Sequence, residues 1–418
     1  MANNLLDKAS VVLTSTAFDT NKILCVKPSN ATGDFNFVRD TEATRINQNG
    51  LIETIGKNLP RINYDGNCGH FLFENQATNS LTHSSDFTGS SWVKQETTIE
   101  AASLTLPDGL TNGYKLFANT TPSVNHWLEK IYYTGSLPGE DSTISLFVKS
   151  AGSDYIQIAA SSGFASKYQN FNISNGTIAS GDALNSSITD FGNGWYRISV
   201  SEKVIGNNAR YLIVPILIDD IRNPQFSGNV NQDGVYIWGA MQEKNPFSTS
   251  YVPTTTSTTT RNQDLCNNGA MGPGLISSTE GVLYAEIAKN TKLNQNQISI
   301  SLSNGDPNNR IMLYFPIENQ AIVCQVRVNG ITQFSANYNL GSLATNFNKI
   351  AISYKENNFK FWVNGIQIAA STNGVLPVGL DRLSFDVGAN LNTFFGKTKC
   401  VAVWQELLTN SQLQNLTQ

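Results

Sequence analysis

The chain has 418 residues, too many for one hydrophobic core, so two or three domains are expected. Charged residues make up 14% against roughly 25% in average globular proteins, and hydrophobic residues 40%, so the chain is not a charge-driven disordered one. A net charge of -4, with no run of Lys and Arg interleaved with aromatics, excludes a general nucleic-acid binder.

The opening Met1-Ala2-Asn3-Asn4-Leu5-Leu6-Asp7 has neither a basic start nor a long apolar stretch, so no signal peptide is read there. No run approaches the roughly 18 apolar residues of a membrane span, which predicts cytoplasmic synthesis and no membrane insertion. Ser10–Thr14 and Lys22–Val26 read as two short strands around a turn at Asp19-Thr20-Asn21. Phe35–Asp40, Ala43–Asn47, Gly50–Glu53 and Leu59–Tyr64 follow as short apolar pairs punctuated by Gly, Pro and Asn. Residues 1–77 therefore bury little surface alone and read as an extended attachment segment that lies along another surface, the chain's own or a neighbour's.

Residues 78–253 are short strands between turn residues. Thr143–Lys149 and Tyr155–Ala159 alternate in polarity, and Trp195–Val200 follows the Gly192-Asn193-Gly194 turn. Tyr211–Ile218 is almost continuously apolar, as in a strand buried on both faces. This predicts a jelly-roll sandwich. The Thr-rich stretch from Pro253 to Arg261 opens a linker over 254–280. Residues 281–418 read as a second sandwich. Ile298, Ile300 and Leu302 alternate with serines, and Asn364-Gly365 joins two alternating runs as a hairpin turn. One helix is predicted, at the last ten residues, capped by Thr409 and carrying Leu413 and Leu416. The predicted fold class is all-β, two sandwiches after an extended N-terminal segment.

Phe37–Asn47, continuing through Gly50–Glu53 and Pro60–Tyr64 to Leu72–Asn79 and Ser84–Phe87, resembles a module of bacteriophage tail and virion proteins. Gly192–Arg197, Tyr236–Glu243 and Thr249–Thr254 resemble the carbohydrate-binding-module-like jelly roll of the same proteins. Lys349–Tyr354, Phe361–Gly365 and the ending from Phe395 to Thr409 resemble a laminin-G or concanavalin A-like domain. The resemblance implies a virion structural protein such as a tail fibre, spike or capsid-attached fibre. It also implies a homotrimer, contacts to other virion proteins through the N-terminal segment, and adhesion to host-surface polysaccharide. A bacterial carbohydrate-binding protein is the alternative, and a polysaccharide depolymerase a weaker one.

Catalytic chemistry finds little support. His70, His83 and His126 neighbour no nucleophile elbow and read as structural. Glycoside hydrolysis needs two carboxyl groups about 5–9.5 Å apart, whereas Glu129, Asp141 and Asp154 read as isolated. Asp219-Asp220 and Asp306 with Asn304 could help hold calcium, but solvated turns suit them better, so no metal and no cofactor is expected. The five cysteines form no metal-ligand spacing and read as buried free thiols. Glycan binding needs an aromatic platform with amides beside it. Trp127 with Asn125 is the first choice, burial weighing equally. Trp195 and Trp362 are further candidates, their family-typical positions favouring packing.

Overall fold

The computed structural model describes residues 5–130, 136–292, 297–317 and 319–418, so Met1–Asn4 of the opening read for a leader lie outside the described residues. The protein is all-β, with the strands gathered in two compact units. One, the split unit, comprises Met1–Gln48, Ile55–Asn75 and Asn262–Gln418. The other, the inserted unit, comprises Asn49–Thr54 and Gln76–Arg261. No helix among the described residues is long and apolar enough to cross a membrane.

In the split unit an eight-stranded sheet faces a five-stranded one. The larger runs Ile366–Ser371, Asn358–Val363, Asn348–Lys355, Glu280–Lys289, Gly396–Trp404, Cys68–Leu72 and Ile62–Asp65, with Val11–Thr14 also paired to Gly396–Trp404. The smaller runs Ile331–Asn339, Ala321–Val328, Arg310–Phe315, Ile298–Ser303 and Arg382–Ser384. Asn364 and Gly365 both adopt positive φ, 48° and 80°, at the predicted hairpin. Ile298, Ile300 and Leu302 enter the core, and the intervening serines are buried as well, since each lies opposite a larger residue: Tyr314, Met312 and Arg310. The terminal helix spans Asn410–Thr417 with a reciprocal Thr409–Gln412 capping box, and Leu413 and Leu416 are buried.

Residues 1–77 lie along the chain's own later segments rather than standing apart. Val11–Thr14, Ile62–Asp65 and Cys68–Leu72 are strands of the large sheet, while Phe35–Val38 pairs with Leu265–Asn267. The stretch 254–280, expected as an extended linker, is corrected in part, because Thr259–Arg261 pairs with Ala77–Asn79 in the inserted unit. β-Branched threonines suit a strand as well as an extended connector.

What closes the split unit is a buried ionic cluster. Asp264 Oδ1 accepts from Arg39 Nη1 at 3.0 Å, and Oδ2 accepts from Arg61 Nη2 and from the Glu74 backbone N–H, the latter at 2.9 Å. Arg61 Nη1 donates to Glu74 Oε2 at 2.8 Å and to Thr44 O at 3.0 Å, and Arg39 Nη2 donates to Gly56 O at 2.8 Å. The side chains of Arg39, Arg61 and Asp264 are 0% exposed. Burial alone pulls Arg61 down, yet Asp264 and Glu74 beside it leave its pKa raised.

The inserted unit packs two six-stranded sheets face to face. One runs Trp92–Gln95, Trp127–Lys130, Arg210–Val214, Tyr155–Ser161, Tyr168–Asn172 and Thr177–Gly181. The other runs Thr97–Ser103, Asn112–Ala118, Gly234–Glu243, Asp141–Ala151, Tyr196–Lys203 and Asn185–Asp190. In the second, Gly239 at φ 62° forms a bulge opposite Ser145–Phe147; a Cβ there would come within 2.9 Å of the Phe147 ring. Tyr236–Thr254, read as a family phrase, is an internal strap. Buried Glu243 accepts from Thr249 N and Oγ1 and from Asn245 Nδ2, each at 2.8 Å, and Asn79 Nδ2 donates to Ala240 O and Val252 O.

Asp264→Ala leaves two buried guanidinium groups short of an acceptor. It should lower the unfolding free energy of this unit by about 3–5 kcal/mol, read as a fall in denaturant midpoint. A loss below about 1 kcal/mol would show that the cluster does not hold the unit together.

Candidate functional site

Along Arg210–Val214 and just beyond, successive side chains part company. Tyr211 and Ile213 enter the core, while Leu212, Val214 and Ile216 join Ala159 on the outer face of the sheet. Half-buried Trp127, Tyr155 and Tyr168 pack against this outer apolar patch. Apolar surface on the outside of a sheet needs cover, and residues 217–226 supply it as a roof. Gln157 and Asn170 sit directly opposite each other on adjacent strands and hold that roof. Gln157 Nε2 donates to Asn170 Oδ1 at 2.7 Å and to Ile221 O at 3.0 Å, and its Oε1 accepts from Asn223 N at 2.6 Å. Asn170 Nδ2 donates to Asp219 Oδ1 at 2.7 Å and Asp220 O at 2.6 Å. Arg222 Nη2 donates to Ala160 O at 2.5 Å.

Within the roof is a pocket of about 200 Å³, lined among others by Ile216, Ile218, Asp220, Pro224, Phe226 and Ser227. The Phe226 ring lies 4.5 Å from the His126 ring, and His126 is fixed by contacts of 2.5 Å and 3.0 Å to the Glu96 and Phe226 carbonyl oxygens. Ile218 and Ile221 on the roof are 64% and 70% exposed. Beside the patch, burial raises the Glu129 pKa, and Arg210, donating to it at 2.9 Å, opposes the rise. Asp219 is held below its usual range mainly by the Asn170 side-chain amide.

The structure separates the four predicted site residues. Trp127 borders the roofed patch, and Asn125 Nδ2 donates to Asn223 O at 2.7 Å, tying the roof at its far end. Trp195 is not available to a ligand. It is 2% exposed, its Nε1 donates to Thr105 O at 2.9 Å, and it packs with Trp238 and Met241. Trp362, 6% exposed, likewise packs, in the cluster that contains helix residues Leu413 and Leu416, so neither is a ligand contact and both take the packing role their positions favoured. Both point away from their sandwich core, but other segments cover that side. Sequence reasoning passed over Gln157, Tyr155, Tyr168, Asn170 and Phe226. The alternation of Tyr155, Gln157 and Ala159 did place those three on one face, which was the available signal.

Chemistry beyond binding is sparse. Among the described residues no histidine hydrogen-bonds a serine, and no group of three or more His, Cys, Asp or Glu is placed to hold a metal. Of the four considered calcium ligands, Asp306 accepts from Asn308 N at 2.8 Å, Asn304 Oδ1 from Asp306 N at 3.1 Å and Asp220 from Ile221 N at 2.7 Å, each within its own turn, while Asp219 accepts from Asn170 and Ser180. Glu129 pairs with Arg210, and Asp141 with Lys203 at 3.0 Å. Cys25, Cys266 and Cys324 are buried free thiols and Cys400 is half-buried, but Cys68 departs from expectation in being exposed.

No family model matches the chain, and no curated protein matches it. Among solved structures, the CBM40 domain of Ruminococcus gnavus IT-sialidase, bound to α2,3-sialyllactose, is similar at 16% identity. The likeness covers 36% of this chain and 94% of that one, with a TM-score of 0.31. The leech intramolecular trans-sialidase is similar at 15% identity over 34% of this chain and 23% of its own, with a TM-score of 0.29. Domains LG4-5 of the mouse laminin α1 chain are similar at 13% identity over 68% and 85%, with a TM-score of 0.23. All fall below a TM-score of 0.5, and none identifies a family or a ligand.

Two measurements check this geometry. Asn170→Ala removes donors to Asp219 and Asp220, so amide exchange in residues 217–226 should accelerate while the sandwich core stays protected. Unchanged exchange there would show that the roof is held by other means. In the split unit His70 is fully buried, neither ring nitrogen has a hydrogen-bond partner, and burial, then Lys397, lowers its pKa from 6.5 to about 4. The unfolded chain takes up that proton first, so this contribution to stability is complete above about pH 6.5 and is lost as pH falls towards 4. His70→Phe should flatten the decline in unfolding free energy between pH 7 and pH 4.5.

Proposed function

We propose that the protein is a non-catalytic structural and adhesion component of a bacteriophage particle, whose inserted unit binds host-surface glycan at the roofed face beside Trp127. The observation that carries the glycan reading is the grouping of half-buried aromatics, Trp127, Tyr155, Tyr168 and Phe226, around Ile216 and a small pocket that also presents Asp220 and Ser227. Flat apolar rings match the C–H faces of sugars, and the Asp220 and Ser227 oxygens match their hydroxyls. The virion reading rests on the sequence phrases that resemble phage tail and virion proteins. Low charge and a neutral polar surface agree with a protein exposed on a particle.

Residues 1–77 would then meet neighbouring virion proteins through outward side chains such as Val26 and Val38, since their inward ones belong to the cores of this chain's own units. A single small pocket binds weakly, so adhesion would come from repetition across identical subunits. Light scattering after size exclusion should give three times the 45.6 kDa chain mass. A monomer would favour the bacterial carbohydrate-binding alternative instead. On a glycan array the chain should bind host polysaccharide, and Trp127→Ala should weaken that binding. Turnover of the polysaccharide by purified protein would overturn the non-catalytic part.

A further inference from the structure

We infer that the pocket beneath Phe226 takes one uncharged pyranose ring and turns acidic sugars away, an inference that rests on the glycan-binding reading above. At about 200 Å³ the pocket is smaller than the roughly 300–1,000 Å³ of a drug-sized site, so it holds one ring rather than an oligosaccharide. Its walls suit a sugar's two kinds of surface. Phe226, Pro224, Ile216 and Ile218 are apolar and face the ring's C–H side. The His126 ring packs against Phe226 at 4.5 Å with a tilt of 52°, which restrains the phenyl ring before a ligand arrives.

The polar groups fix the charge preference. Asp220 lines the pocket, and its Oδ1 accepts from Ile221 N at 2.7 Å, leaving Oδ2 to accept from a hydroxyl. Ser227 Oγ donates to Thr120 O at 2.9 Å and lies 3.2 Å from Gly228 O, so backbone carbonyls take up its proton. The Asp220 carboxylate accepts from a sugar hydroxyl and repels a sugar carboxylate. No cation is among the residues that line the pocket. Of the cations nearby, Arg210 is paired with Glu129 and Lys167 with Asp182 at 2.9 Å, while Arg222 keeps its charge but turns its guanidinium to Ala160 O, outside the pocket wall. A sugar carboxylate would therefore lose hydration, find no cation in the pocket wall and face the Asp220 carboxylate.

The test is ligand-observed NMR titration of the full chain with the methyl glycosides of glucose, galactose and mannose, against those of glucuronic and neuraminic acid. At least one neutral glycoside should bind, and the acidic ones should bind at least about tenfold more weakly. Phe226→Ala should weaken neutral binding by about tenfold. Ile218→Arg, at an exposed rim position, should do the same without touching the His126 stack, which covers the case in which Phe226→Ala fails to fold. Acidic glycosides binding as well as neutral ones would overturn the inference and leave the glycan reading standing. Neutral binding that survives both variants would also overturn it, by placing the site elsewhere. Failure of every glycoside and of every glycan on the array would instead remove the reading on which it rests.

Discussion

The split unit depends on one carboxylate. Asp264 lies far along the chain from the arginines it joins, 225 residues from Arg39 and 203 from Arg61. Each of those guanidinium groups would be ruinously expensive to bury alone. Together with Glu74 they form a set of two positive and two negative charges, with further Arg39 and Arg61 donors met by the Thr41, Gly56 and Thr44 carbonyls. Such a cluster tolerates little displacement of any member, and so it fixes the register in which the N-terminal strands meet the later ones. Phe37 and Phe73, next to Arg39 and Glu74, continue directly into the apolar core.

The inserted unit solves a similar problem with neutral groups. Its outer apolar patch is covered not by a helix or a second sheet but by a loop, held through the side-chain amides of Gln157, Asn170 and Asn125. Amides both donate and accept, so one side chain can satisfy several loop backbone groups without a charge to desolvate. The low content of charged residues is thus matched by a structure in which neutral polar side chains do the fastening. It also leaves a surface with few fixed charges, on which the Asp219–Asp220 pair stands out.

Much of this fold is legible in the sequence because strand alternation and turn chemistry are local. The Thr409 cap, the Asn364-Gly365 hairpin and the all-β class follow from neighbours within a few residues. The apolar run from Tyr211 reads correctly as a strand buried on both sides as far as Val214, but its end at Leu217 and Ile218 turns into the roof, and nothing local says that a loop buries one face. The partners of Val11–Thr14 and Phe35–Val38 are far away in sequence, and such pairing leaves no local trace. The same limit explains Trp195 and Trp362. Alternation gives the side of the sheet to which each points, but the segments covering that side come from elsewhere in the chain. The one local hint of the ionic cluster was Arg39 and Arg61 set in otherwise apolar phrases.

The nesting of one unit within the other has a consequence for biogenesis. A ribosome completes residues 76–261 before it reaches Asp264, so the inserted sandwich can fold while the first 75 residues still lack their counter-charge and the later strand partners of Val11–Thr14, Phe35–Val38 and Cys68–Leu72. During that interval the early strands carry unpaired edges and exposed apolar side chains, and the sequence separation to be closed is large. The waiting time is set by translation, and chaperone demand should fall on this leading stretch rather than on the sandwich that follows it.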